Sequence, residues 1–449
     1  MRQDLVAKYD LRLPRYTSYP TAPHFSPAVT GSTYEGWLAE LDPATPLSLY
    51  LHIAYCAEMC WFCGCHTKIT RRYDPVADYL EVLMQEIELL ASKLPGRFSA
   101  RHVHFGGGSP TILSAEDFSR LIAHLKEHFD IADGAEIAVE LDPRTADEAY
   151  VQAMATAGVT RASIGVQDFN RRVQEAVNRI QPYEEVAEVT GWLRKHGISE
   201  INMDLIYGLP YQTVDSIVET IDQSLTLKPR RISLFGYAHV PWMRKHQTLI
   251  PDEALPGLEE RWIQYETAQK RLQDHGYVSV GLDHFALADD EMAIALNSKQ
   301  LHRNFQGYTT DAAEVLIGLG ASGIGSLPQG YVANEGELHA WKRMVLDGML
   351  PTKRGIAISG EDRLRREVIE RLMCDLEIDL AAIARAHGRP EDHFAPELEG
   401  MADLEADGVL VRDGFSLRIT EDGRPLVRAA AARFDQYLRA GELRHSKAI

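Results

Sequence analysis

Four cysteines crowd into ten residues, Cys56-Ala-Glu-Met-Cys60-Trp-Phe-Cys63-Gly-Cys65, and only Cys374 lies elsewhere in the 449-residue chain. The first three have C-x3-C-x2-C spacing, which lets three thiolates converge on one inorganic cluster and leaves its fourth corner without a protein ligand. An open metal corner is a chemical site. Structural zinc is the competing reading, but such sites usually close with two separated Cys/His pairs, and no second pair follows here, although His66 stands close enough to join.

A loop of this kind needs a rigid frame. Short apolar or alternating runs end in polar or glycine-rich turns, with helical stretches between most of them. The candidate strands are Leu47–Ile53, His102–Phe105, Glu136–Leu141, Arg161–Val166, Glu200–Ile206, Arg231–Tyr237 and Tyr277–Leu282. Val76, Tyr79, Leu80, Leu83, Ile87 and Leu90 fall at helical spacing behind Asp74-Pro75, which predicts an amphipathic helix between the first two strands. Six or seven strands in this βα rhythm predict an α/β fold built on a parallel barrel, partial or complete. The unusual residues, Gly106-Gly107-Gly108-Ser109-Pro110, Glu140, Gln167, Asp204 and Ala238, all sit at or just past strand C-termini, the end that carries the site in such barrels. The three glycines let backbone approach a ligand closely, and Glu140 has the carboxylate geometry to accept two ribose hydroxyls or simply to cap a helix.

Composition narrows the rest. With 45% hydrophobic and 25% charged residues the chain reads as soluble and globular, and no apolar run approaches a membrane span or a secretory signal. A net charge of −18 disfavours nucleic-acid binding, so an anionic ligand must meet a local basic pocket. The chain divides into residues 1–45, a catalytic body at 46–354 and a small, mainly helical region at 355–449. That last region reads as helices at Asp362–Cys374, Leu380–Ala386, Pro396–Ala406 and Pro425–Leu438, with a hairpin over Val409–Thr420 turning at Asp413-Gly414. The pattern is winged-helix-like, but from Gly355 onward 14 Lys/Arg face 19 Asp/Glu, which argues for a lid or packing role over DNA binding.

The cysteine loop resembles that of the radical S-adenosylmethionine enzymes, with Phe62 in the place of the aromatic that packs against adenine and Gly106–Gly108 in the place of the methionine-binding segment. Further motifs sharpen the resemblance: Pro14-Arg15-Tyr16-Thr17-Ser18-Tyr19-Pro20-Thr21, Gly165–Phe169, Asn178-Arg179, Asn202–Pro210, Tyr237–Pro241, Gly281–Ala286 and Leu301–Thr310. Together they are similar, over essentially the whole chain, to the oxygen-independent coproporphyrinogen III oxidases. Cys65 and the segment Arg15–Thr21 separate this pattern from the related heme chaperones. Ser109 departs from the family's more usual Thr but keeps the hydroxyl.

The resemblance implies a [4Fe-4S] cluster on Cys56, Cys60 and Cys63 and two molecules of S-adenosylmethionine. Tyr50, Phe62, Gly107 and Ile324 would surround the first; Gly108, Ser109, Glu140, Gln167, Arg179, Asp204 and Ala238 would contact the second, with some shared. Cys65 and Tyr50 are the expected catalytic residues, Cys65 outside the cluster's ligands. The implied substrate is coproporphyrinogen III, two of whose four propionates become vinyls through a 5′-deoxyadenosyl radical. Arg15 and Arg303, each flanked by aromatics, are the candidate propionate contacts, with Lys68, Arg71 and Arg72 next in line. The oxygen-sensitive cluster further implies a cytoplasmic, anaerobic setting, a low-potential electron donor such as flavodoxin or ferredoxin, and a monomer.

Overall fold

The computed structural model describes residues 3–438. Seven strands run parallel in one sheet: β1 (Leu47–Ile53), β2 (Ser99–Gly107), β3 (Asp130–Leu141), β4 (Arg161–Gln167), β5 (Glu200–Tyr207) and β6 (Arg231–Gly236), with a seventh introduced below. Helices packed outside the sheet connect successive strands, so the strands are buried on both faces. Leu47, Leu49, Leu51 and Ile53 of β1 accordingly have at most 1% exposure. The first connecting helix, α1 (Asp74–Lys93), buries Val76, Tyr79, Leu80, Leu83, Ile87 and Leu90, the face its spacing predicts.

The run Tyr277–Leu282 does not supply the seventh parallel strand. It forms β7 (Tyr277–Val280), which turns back through Gly281 into β8 (His284–Leu287), and β8 pairs antiparallel with both β6 and β7 at the edge of the sheet. Beyond β8 the chain makes a small hairpin, β9 (His302–Asn304) and β10 (Gly307–Thr309). It then crosses to the far edge, where β11 (Val315–Leu319) is the seventh parallel strand, beside β1. Three antiparallel strands extend that edge, β12 (Ile324–Leu327), β13 (Gly330–Asn334) and β14 (Thr352–Ala357). The resulting order, β14-β13-β12-β11-β1-β2-β3-β4-β5-β6-β8-β7, is not joined end to end: the barrel is partial.

The C-terminal region packs helices Gly360–Asp375 and Leu380–Ala386 around a three-stranded sheet, β15 (Glu377–Asp379), β17 (Ser416–Ile419) and β16 (Leu410–Asp413), in that spatial order. The stretch expected as one helix over Pro396–Ala406 breaks at Gly400 into Ala395–Glu399 and Ala402–Ala406. Only Val427–Ala431 of the expected Pro425–Leu438 helix is α-helical, between 3-10 turns. The start of the chain lies against this region: the Tyr16 hydroxyl donates to Asp435 Oδ2 at 3.1 Å, and the Gln436 N–H donates to the Tyr19 hydroxyl at 3.1 Å. Among the described residues, no helix is long and apolar enough to cross a membrane.

Candidate active site

The cysteine loop leaves the C-terminal end of β1 and is tied down on several sides. Tyr55-Cys56 pairs with Lys68-Ile69, Trp61 N–H donates to the Val177 carbonyl at 2.9 Å, and Asn178 Nδ2 donates to the Met59 carbonyl at 2.8 Å. Gln247 Nε2 reaches both the Phe62 carbonyl, at 3.0 Å, and that of Ala238, at 3.3 Å, joining the loop to the segment after β6. Phe62 and Trp61 pack against an apolar cluster containing Leu209 and Tyr237.

Each sulfur has its own environment. Cys60 Sγ lies 3.4 Å from both Arg144 Nη2 and Arg179 Nη1, Cys56 Sγ accepts from Thr67 Oγ1 at 3.3 Å, and Cys63 Sγ accepts from the Cys65 N–H at 3.3 Å. Hydrogen bonding by the Cys65 thiol and its backbone N–H, with the neighbouring His246 and Arg179, pulls the Cys63 thiol down to about 6, against burial. Burial pushes Cys56 up to about 12, and the Cys65 thiol is raised by its bond to Cys63. The donor set fits a cluster. Two guanidinium groups turned onto one sulfur suit a bound, electron-rich thiolate, and Arg179 Nε is buried without a partner. Among the described residues, the trio of His, Cys, Asp or Glu ligand atoms all within 4.8 Å of one another is Glu88, His124 and His128, elsewhere in the molecule, so the three sulfurs are not drawn together as ligands of one zinc ion would be. His66 turns its Nε2 to the Gly336 carbonyl.

Around this loop the strand ends form a polar cup. At Gly107, φ is +106°, and a Cβ there would strike the His52 ring at 2.6 Å; at Gly108 it would lie 2.4 Å from the Tyr55 carbonyl oxygen. Only glycine fits this approach. The Tyr50 hydroxyl lies 3.2 Å from His52 Nδ1, its ring stacks on His104 at 5.8 Å, and His104 Nε2 lies 3.0 Å from Glu140 Oε1. Ile324 lies against Gly318, the β11 residue paired with Tyr50. Gln167 holds φ at +66°, an uncommon conformation for a residue with a side chain, and Arg179 reaches beneath it to donate to the Gly165 carbonyl at 2.6 Å. Asp204 accepts from Ser163 Oγ at 2.9 Å and Asn202 Nδ2 at 2.8 Å; burial, then the neighbouring Glu140, raises its carboxyl. The Ser109 hydroxyl instead faces Thr111 Oγ1 at 2.7 Å.

Sequence reasoning missed Asp142 and Arg144. Burial alone would raise the Asp142 carboxyl, but Arg179 and Arg144 outweigh it and hold it down to about 2, so the three form a charged clasp behind Cys60. The available signal was position: both lie within three residues of the end of β3.

Beside the cup, past β5 and β6, opens a cavity of about 420 Å³ whose wall includes Tyr207, Tyr237 and Ala238. Arg15 and Arg303 meet there, Arg303 Nε donating to the Arg15 carbonyl at 3.3 Å with its guanidinium 4.3 Å from the Tyr308 ring centre. Arg12, Arg261 and Arg428 also line it, none of them picked out from the sequence.

Comparison with known proteins agrees with this geometry. Residues 50–223 match the radical SAM superfamily, and residues 358–426 match the HemN C-terminal domain. The chain is 49% identical to an oxygen-independent coproporphyrinogen III oxidase of Bradyrhizobium diazoefficiens over 100% of both chains. It is 44% identical to one of Paracoccus denitrificans over 98% of this chain and 97% of that one. The solved structure of coproporphyrinogen III oxidase (HemN) from Escherichia coli, described as a radical SAM enzyme, superposes with a TM-score of 0.91 at 37% identity, covering 95% of this chain and 100% of that one. A sequence match of this length, together with the same fold and a three-cysteine loop at the mouth of the parallel strands, makes the chain a member of the oxygen-independent coproporphyrinogen III oxidase family.

Proposed function

We propose that this protein is a radical S-adenosylmethionine oxidoreductase that converts coproporphyrinogen III to protoporphyrinogen IX without oxygen, in heme and porphyrin biosynthesis. The observation that carries this is the placement of the three-thiol loop and an arginine-lined cavity side by side at the C-terminal ends of one parallel sheet. Cys56, Cys60 and Cys63 would hold the [4Fe-4S] cluster. When bound, cluster and S-adenosylmethionine supply a 5′-deoxyadenosyl radical able to take hydrogen from an unactivated carbon.

Each reacting propionate loses a hydrogen atom from its β-carbon; the bond from the α-carbon to the carboxylate then breaks, one electron passes to a one-electron acceptor, and carbon dioxide leaves a vinyl group. The chain's residues serve orientation and solvent exclusion. Tyr50, Phe62, Gly107 and Ile324 surround one S-adenosylmethionine, while Gly108, Ser109, Glu140, Gln167, Arg179, Asp204 and Ala238 contact a second. Cys65 and Tyr50 act at the reacting centre, and Arg15 and Arg303 contact propionates. We assign residues 1–45 and 355–449 to flank the catalytic body at 46–354; residues 1–2 and 439–449 lie outside those described. A low-potential donor such as flavodoxin or ferredoxin reduces a cytoplasmic monomer.

The test is anaerobic incubation of reduced, cluster-loaded protein with coproporphyrinogen III, followed by product mass. Loss of two carbon dioxide equivalents, with two 5′-deoxyadenosines per protoporphyrinogen IX, is expected. Heme bound stoichiometrically with no vinyl product, or heme broken down, would overturn the assignment.

A further inference from the structure

The arginine cavity gathers more positive charge than the one carboxylate on its described wall offsets. Asp283 is, among the described residues, the one carboxylate on its wall, against Arg12, Arg15, Arg261, Arg303 and Arg428. Among the described residues, Arg12, Arg15, Arg261 and Arg303 pair with no carboxylate. Arg15 Nη2 lies 3.4 Å from the Gly236 carbonyl, and Arg261 Nη2 donates to that of Tyr237 at 3.0 Å. Arg303 Nη1 and Arg261 Nε are buried with no partner at all. Crowding is felt at Arg428, which burial, then Arg15 and Arg303, pull down to about 10. Buried donors left unmade are costly, and so are like charges gathered around a single carboxylate; a ligand bringing carboxylates relieves both penalties.

Which carboxylates these are follows from the chemistry, granted the reaction proposed above. A propionate that reacts ends as neutral carbon dioxide, so an arginine bonded to it stabilises the starting anion more than the transition state and slows its loss. A propionate that stays keeps its charge throughout, and gripping it costs the reaction nothing. The cup beside the cysteine loop bears Glu140 and Asp204, and the cavity beside it bears the arginines. The two meet at Ala238, whose carbonyl shares Gln247 with that of Phe62.

We infer that the cavity grips the two propionates that survive, with Arg261 and Arg303 as their direct anchors, and thereby retains the half-reacted tricarboxylate for its second decarboxylation. Neither gripped carboxylate is consumed when the first propionate reacts, so the tricarboxylate stays held while its second reacting side chain is brought forward.

Arg261→Gln and Arg303→Gln, cluster-loaded and assayed anaerobically with coproporphyrinogen III in excess, should raise KM tenfold or more. They should release the monovinyl tricarboxylate as the main early product, while 5′-deoxyadenosine per vinyl formed stays at the wild-type value. Unchanged KM with unchanged partition between tricarboxylate and dicarboxylate overturns the inference, as does 5′-deoxyadenosine made without vinyl at normal KM, which would place the arginines on the reacting group. Should a variant lose its iron, wild-type protein still decides. Protoporphyrin IX should compete for the site at least tenfold better than its dimethyl ester, and equal competition overturns the inference. Failure of the underlying reading looks different: wild type itself would form no vinyl product.

Discussion

The two ends of the parallel strands use arginine in opposite ways. At the N-terminal end, Arg161 opens β4 and places Nε 2.7 Å from Glu136 Oε2, and Arg231 opens β6 with Nε 2.8 Å from Asp290 Oδ1. Each buried cation is answered by a carboxylate of the same fold. At the C-terminal end, Arg261 and Arg303 rest against carbonyls and an aromatic ring and pair with no carboxylate among the described residues, although both ends leave single guanidinium donors buried and unused. The difference separates charge that completes the fold from charge kept for a ligand, and it agrees with the general placement of sites at the C-terminal face of such barrels.

The comparison predicts that changes at the site end cost chemistry and changes at the opposite end cost stability. The largest effect is expected at the cysteine loop. Cys56→Ser, Cys60→Ser and Cys63→Ser should each abolish cluster assembly and all turnover, because a three-ligand site has no spare thiolate, while thermal unfolding of the barrel moves little. Iron content and visible absorption check this; a near-normal cluster in any of the three removes that cysteine from the ligand set. Cys65→Ser should keep its iron yet lose turnover. Cluster loss equal to that of Cys60→Ser would make Cys65 a ligand instead.

At the opposite end, Arg231→Ala removes the guanidinium bonded to Asp290, whose side chain is 0% exposed, and leaves only the more distant Arg161 and Arg230 to offset it. Truncating one member of such a pair costs on the order of 3–5 kcal/mol. Denaturant unfolding of the cluster-loaded variant should show that loss, with KM for coproporphyrinogen III unchanged in whatever fraction remains folded. A raised KM with wild-type stability would erase the division of labour between the two ends.

How far the sequence anticipates this arrangement depends on the range of the interaction. β1 through β6 are legible because both faces of each are covered, which writes apolar runs of strand length between turn residues, and the cysteine loop is legible because Cys56, Cys60 and Cys63 lie within eight residues. Tyr277–Leu282 reads as a strand for the same reason, but nothing local reveals that it pairs antiparallel with His284–Leu287 through a turn at Gly281. The extension β11–β14 is hidden by its short strands, and the helix expected over Pro425–Leu438 by 3-10 turns that share its apolar spacing. Arg15 and Arg303 stand out within motifs that carry the resemblance; Arg261, though followed by Trp262, and Arg428 do not, since they reach the cavity from two helices, Leu258–Asp274 and Val427–Ala431, outside those motifs in sequence. Convergence of that kind is a property of the fold alone.

The smallest effects lie within the cavity and sharpen the contrast further. Arg303 is enclosed, with Nη1 buried, whereas Arg15 is exposed at the mouth. A charge-assisted hydrogen bond made in an enclosed site is worth on the order of 1.5–3 kcal/mol, so Arg303→Ala should weaken substrate binding by about that much. Arg15→Ala, losing a contact that water can replace, should cost well under about 1 kcal/mol. Neither change should reduce stability, and relief of the crowding at Arg428 should leave Tm equal to or above that of wild type, in direct opposition to Arg231→Ala. Titration of the two variants with the oxidised tetracarboxylate porphyrin, beside their melting curves, tests both halves. If both keep unchanged affinity, the positive charge that meets the propionates lies elsewhere, with Lys68, Arg71 and Arg72 beside the cysteine loop next to be substituted. If Arg303→Ala melts several degrees lower with unchanged affinity, its guanidinium is part of the scaffold after all, and the two ends of the barrel do not differ in the way their arginines are used.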